Sequence, residues 1–96
     1  MSKVVTICGS MKFMKEMIDI SAELEIKYGY IVIQCVYCDK DFSDSEKKIL
    51  GDIHYRKIEI SDAIFVVNVS GYIGESVKKE IEYAKKLGKE IMYLES

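Results

Sequence analysis

Four short apolar runs separated by three longer stretches of helical periodicity constrain this sequence more than any other feature. The runs are residues 4–8 (VVTIC), 30–36 (YIVIQCV), 63–69 (AIFVVNV) and 90–94 (EIMYL). Each is nearly continuous in β-branched and apolar residues rather than alternating, the mark of a strand buried on both faces. Between them, Phe13, Met17, Ile20 and Leu24 recur at helical spacing over residues 12–28, and Gly29 supplies a C-terminal cap. A second helix is expected over residues 45–60, with Ile49, Ile53 and Ile60 on one side, and a third over 76–87, capped by Gly88. The order βαβαβαβ calls for a parallel sheet with right-handed crossovers and helices on both faces. We therefore expect an α/β, flavodoxin-like or Rossmann-like three-layer fold, with a four-stranded parallel sheet in the order 2-1-3-4. At 96 residues and 11.0 kDa there is room for one such domain, spanning 1–96.

Composition narrows the function. Fourteen basic against sixteen acidic residues give a net charge of −2, which offers no general handle for a nucleic-acid polymer. The longest apolar stretch, 63–69, is far short of a membrane span, and the opening MSKVVTICGS has no hydrophobic region of signal-peptide length. A cytoplasmic protein without a membrane partner is expected. Its three cysteines, an odd number, are expected to be thiols there. Cys8, Cys35 and Cys38 fall near the ends of the first two strands, and with His54 they could be imagined as a metal set. Zinc ribbons, however, bring two C-x-x-C pairs, and redox C-x-x-C motifs lead into a helix, whereas this pair enters a polar loop. No metal and no cofactor are expected.

In an open parallel sheet, ligands lie beyond the carboxyl ends of the strands. Three segments occupy that rim: 9–13, 37–45 and 68–76. The first reads G-S-M-K-F. Gly9 permits close backbone approach, Ser10 offers a hydroxyl, the helix start offers free N–H groups and Lys12 adds a positive charge. A tight turn capped by serine accounts for the same residues. The segment is neither G-x-G-x-x-G nor a Walker loop.

The third helix says more. On a wheel of 100° per residue with Val77 at zero, Ala84, Gly88, Ile81 and Leu87 form one apolar arc. Glu80 falls at about 300°, inside the arc, whereas Glu82 falls near 140° among lysines. A carboxylate on a buried arc is costly unless it is hydrogen-bonded or used, which makes Glu80 a candidate nucleophile or base, or else a residue that orders a loop. His54, the only histidine, sits between Leu50 and Ile58 at the margin of the second helix's apolar side. It is either a packed, hydrogen-bonded residue or a proton donor at a ligand.

The stretches VTICGSMKF, HYRKIEISDAIFVVN and GYIGESVKKEIEYAKKLGKEIMYL resemble the nucleoside 2-deoxyribosyltransferase-like superfamily, in particular its short branch related to the nucleoside 5′-monophosphate N-glycosidases. The glutamate ahead of I-x-Y-A-x-x-x-G-K, here Glu80, corresponds to the family's nucleophile. The resemblance implies attack on the anomeric carbon of a nucleoside or nucleotide, departure of the base, and resolution of a glycosyl-enzyme ester by water or a second base. It implies phosphate binding at Gly9, Ser10 and Lys12, with lysine in place of arginine, and a contribution from the loop Gly74, Glu75 and Ser76. Phe13 and Asn68, which bound the first and third rim segments, complete the substrate-binding set. The acidic residue that true transferases carry eight positions before the Ser-Asp aspartate is His54 here, and the one six before the nucleophile is Gly74. A homodimer is the expected assembly. The other reading of the same pocket is a non-catalytic nucleotide-binding module in which Glu80 holds the ribose hydroxyls.

Overall fold

The structure, a computed structural model, describes residues 2–37 and 40–95. Strands β1 (Val4–Cys8), β2 (Ile31–Ile33), β3 (Ala63–Val66) and β4 (Glu90–Tyr93) alternate with helices α1 (Met14–Tyr28), α2 (Asp44–Glu59) and α3 (Glu75–Lys86). All three pairings are parallel and the order is β2-β1-β3-β4, as the sequence pattern predicts. Single 3-10 turns over Met11–Phe13 and Val69–Gly71 carry the chain from β1 into α1 and from β3 towards α3.

Local chemistry explains the boundaries. Ser43 and Glu46 close a capping box at the start of α2, each side chain taking the other's backbone N–H. Gly29 ends α1 in the left-handed region (φ 69°), where a side chain would be strained. The second strand is shorter than the apolar run that contains it. Beyond Ile33 the Gln34 carbonyl accepts a hydrogen bond from Lys57 Nζ at 2.8 Å, and the Cys35 thiol donates to the Ile7 carbonyl at 3.4 Å. These backbone groups are satisfied outside the ladder, so pairing stops early.

Two apolar clusters lie on opposite faces of the sheet. Ile7 and Val67 pack with Met17 and Leu24 of α1. Cys8, Ile64 and Val66 pack with Ile58 of α2 and with Val77, Ile81 and Ala84 of α3. Side chains alternate along a strand, so Thr6 and Cys8 face α2 and α3 while Val5 and Ile7 face α1. The apolar stripe of α2 that the spacing singles out, Ile49, Ile53 and Ile60, is exposed. The inward line is instead Leu50, His54, Ile58 and the Ser61 that follows the helix. Leu87 also departs from the expectation: its backbone is still helical and its N–H reaches the Tyr83 carbonyl, but it stands at the edge of the arc centred on Val77, Ile81 and Ala84, and its side chain is exposed. Among the described residues, no helix is long and apolar enough to cross a membrane.

Candidate functional site

Beyond the carboxyl end of β1, the inward faces of α2 and α3 meet the first rim segment around a pocket of about 510 Å³. Gly9, Ser76, His54 and Glu80 line it, as do Cys35, Lys57 and, from the loop before α2 and its first turns, Lys40, Asp41, Phe42 and Lys47. A second concavity, between the outer sides of α2 and α3, is lined by the charged Asp52, Arg56, Lys79, Glu82 and Lys86 with Tyr55 and Tyr83. It holds solvated charges rather than a concentrated chemical centre.

Three polar side chains converge at the inner wall of the first pocket. His54 Nε2 lies 3.3 Å from Glu80 Oε1 and 3.4 Å from Cys8 Sγ. Only 12% of the histidine side chain and 16% of the glutamate side chain are exposed, and Cys8 is fully buried. Glu80 is thus held inward, as the wheel requires, while Glu82 faces solvent. His54 reaches it because α2 presents the line Leu50–His54–Ile58 to the sheet. The thiols respond to this environment. Burial, reinforced by the nearby Glu80 carboxylate, raises Cys8 well above an ordinary thiol. The same two causes push Cys35 up to about 11. Burial first and then Glu80 also raise the Tyr55 hydroxyl. At neutral pH both thiols are protonated, so neither is a ready nucleophile.

The other sequence-selected residues divide. Gly9 and Ser76 lie on the pocket wall. A β-carbon on Gly9 would sit 2.9 Å from Met17 Sδ and 3.2 Å from the Val67 carbonyl, which is why the position takes glycine. Gly74 is the N-cap of α3, beside the Tyr72 hydroxyl. Ser10, Lys12, Phe13, Asn68 and Glu75 are not on this wall. The Ser10 side chain caps the 3-10 turn through Lys12 N. The Lys12 ammonium lies 3.4 Å from the centroid of the Tyr72 ring, which itself meets Phe13 edge-on at 5.9 Å. That contact is a cation–π arrangement on the rim rather than a charge aimed into the pocket. Asn68 is buried and pairs in both directions with the Glu95 backbone, at 2.8 and 2.9 Å, tying the end of the sheet together. Glu75 is exposed and pairs with Lys78. Of the expected C-x-x-C, Cys38 lies outside the described residues.

Sequence reasoning passed over Lys47, Lys57 and Phe42. The signal was present, since positions 47, 50, 54 and 57 follow helical spacing. A search for apolar arcs discards an inward face built from lysines and a histidine. Cys8, His54 and Glu80 also form a group with one ligand atom each, all within 4.8 Å of one another. This set differs from the Cys8, Cys35, Cys38 and His54 set considered from sequence. No protein-family model matches the chain, and a search of the curated proteins finds no match.

Proposed function

We propose that this chain cleaves the N-glycosidic bond of a nucleoside or nucleoside 5′-monophosphate, by hydrolysis or by transfer to a second base, with Glu80 as nucleophile. The observation that carries this reading is the largely buried Glu80 carboxylate on the pocket wall with His54 Nε2 3.3 Å away. A carboxylate largely withdrawn from water attacks a sugar carbon more readily than a fully solvated one. The sequence resemblance to nucleoside 2-deoxyribosyltransferase-like proteins points to the same glutamate.

In the first step a Glu80 oxygen bonds to C1′ as the carbon–nitrogen bond breaks, and the bond's electron pair leaves with the base. His54, entering protonated, gives its proton to the departing base nitrogen. In the second step the neutral imidazole takes a proton from water, or from an incoming base, whose attack on C1′ frees the Glu80 carboxylate. Two displacements retain the configuration at C1′. Lys47 on the same wall supplies positive charge for a 5′-phosphate, reinforced by Lys57, whose ammonium is held on the Gln34 carbonyl, and the Phe42 ring offers a face for a base. Lys12, engaged with Tyr72, is the weaker phosphate candidate.

Chromatography of a panel of ribo- and deoxyribonucleosides and their 5′-monophosphates, with Glu80→Gln alongside, tests the reading. Free base is expected from the wild type, falling by about 10³-fold or more in Glu80→Gln. His54→Gln is expected to cost ~10²-fold. Thermal stabilisation by a panel member without base release would replace the enzyme by a nucleotide-binding module. Equal release by wild type and Glu80→Gln would remove Glu80 from the chemistry.

A further inference from the structure

The Cys8–His54–Glu80 group has a second capacity, which does not depend on the glycosidic reading. We infer that Cys8 Sγ, His54 Nε2 and Glu80 Oε1 form a three-ligand zinc(II) site whose fourth position opens into the pocket.

Geometry is the first support. Ordinary zinc bond lengths in a tetrahedral arrangement place a nitrogen and an oxygen ligand about 3.4 Å apart, and a sulfur and a nitrogen ligand about 3.5 Å apart. Here the nitrogen–oxygen separation is 3.3 Å and the sulfur–nitrogen separation 3.4 Å, with all three atoms within 4.8 Å of one another. The remaining pair, sulfur and carboxylate oxygen, lies within 4.8 Å, against about 3.6 Å in a tetrahedral zinc site, so an ion at the centre draws these two ligands together by at most about 1.2 Å. The two contacts share one atom, Nε2, so the ring aims a single nitrogen between the other two ligands. Each ligand comes from a different element (β1, α2 and α3) and is therefore fixed by the fold rather than by a loop.

Ligand chemistry selects the metal. One thiolate, one imidazole and one carboxylate suit a borderline-soft cation such as zinc and disfavour magnesium or calcium, which take oxygen ligands. Binding releases the Cys8 thiol proton to the buffer, and the thiolate and carboxylate together balance the 2+ charge of the ion. His54 and Glu80 line the pocket whereas Cys8 is fully buried. The open coordination position thus points outward, where water or a ligand donor can complete the tetrahedron. Three protein ligands and one exchangeable position describe a reactive or regulatory site rather than a closed structural one.

Where the glycosidic reading also holds, zinc and substrate compete. The ion takes the Glu80 lone pair that would attack C1′ and the His54 nitrogen that would carry the proton, so zinc silences base release. That consequence rests on the reading above, but the binding itself does not.

Calorimetric titration of the reduced, metal-free protein with zinc chloride, without nucleotide, tests the site. One zinc per chain with an affinity of about micromolar or tighter is expected. Cys8→Ala and His54→Gln should each weaken it by at least about 100-fold, beyond the ~10–100-fold that loss of an outer-shell partner costs. Cobalt(II) is expected to give a thiolate-to-metal charge-transfer band that Cys8→Ala lacks. His54→Gln, at a partly exposed position, keeps the test decisive if the fully buried Cys8 position does not tolerate alanine. Absence of binding at micromolar zinc would overturn the site, as would zinc binding that survives His54→Gln and disappears in a Cys35→Ser, Cys38→Ser double variant. Zinc binding together with no base release from any nucleotide by the metal-free protein would leave this site standing and remove the glycosidic reading alone.

Discussion

Ile7 and Cys8 are adjacent in β1 and both fully buried, yet they enter different kinds of interior. Ile7 points to the α1 face, where Met17, Leu24 and Val67 close an apolar layer. Cys8 points to the α2 and α3 face, where the apolar layer of Ile58, Ile64, Val77 and Ala84 gives way at the rim to His54 and Glu80. Polar atoms recur on this second face. Thr6 and Ser61 bond to each other, and both hydroxyls reach the Lys57 carbonyl, at 3.1 and 2.7 Å. One face of the sheet is committed to holding the chain together. The other also carries polar and ionisable groups whose burial is costly, and it is there that the proposed chemistry is placed.

The sharpest way to break this comparison is to exchange the expected losses. Glu80→Gln is expected to remove base release by about 10³-fold or more with little change in unfolding free energy, because the amide keeps the shape of the side chain. Ile7→Ala is expected to do the reverse. It should cost ~2–5 kcal/mol in urea unfolding, lowering Tm by roughly 4–8 °C per kcal/mol, while leaving activity per folded molecule intact. If Ile7→Ala impaired turnover in the folded protein as severely as Glu80→Gln, the two faces would not be functionally distinct.

Gly9 belongs to both regions, since it touches Met17 and lines the pocket. Gly9→Ala is therefore expected to lower stability by ~1–3 kcal/mol through overpacking and to weaken ligand binding as well. Stability without loss would show that Met17 yields to the new methyl group. Thr6→Val, on the polar face but away from the pocket, should cost only ~0.5–1.5 kcal/mol, measurable by urea unfolding, with turnover unchanged.

The smallest effect is one of pH. The Cys35 thiol is held near 11 against an ordinary 9.0, so the folded chain keeps a proton that the unfolded chain gives up first. Its contribution to stability is complete below about pH 9 and is lost as pH rises towards 11. Comparing unfolding of the wild type and Cys35→Ala across that window should show a steeper decline in the wild type. Parallel curves would mean that the thiol is not desolvated as its position implies.

Much of the fold was legible because it depends on periodicity and punctuation. The apolar runs, Gly29 and Gly88 mark strands and helix ends whatever their tertiary partners. Glu80 was legible for a related reason: a lone carboxylate inside an apolar arc stands out on the wheel. Leu87 misled because it lies at the edge of the arc, in the last turn, where a wheel does not say how far the neighbouring layer reaches. Ile49, Ile53 and Ile60 misled because a true stripe does not say which side faces the sheet, and here it is the side bearing His54. Asn68 lay at the predicted rim, but its pairing with Glu95 depends on where a distant segment returns. The sequence could suggest Cys8 beside His54, but not that Glu80 rather than a second cysteine joins them, since that is set by how β1, α2 and α3 cross.

Trapping the intermediate tests the role of Glu80 most directly. The wild type would be incubated with a 2′-fluoro nucleoside whose glycosyl-enzyme ester hydrolyses slowly, then digested and weighed by mass spectrometry. The expected result is one glycosyl group on the peptide containing Glu80, absent from Glu80→Gln. An adduct on another residue, or base release with inversion at C1′, would contradict it.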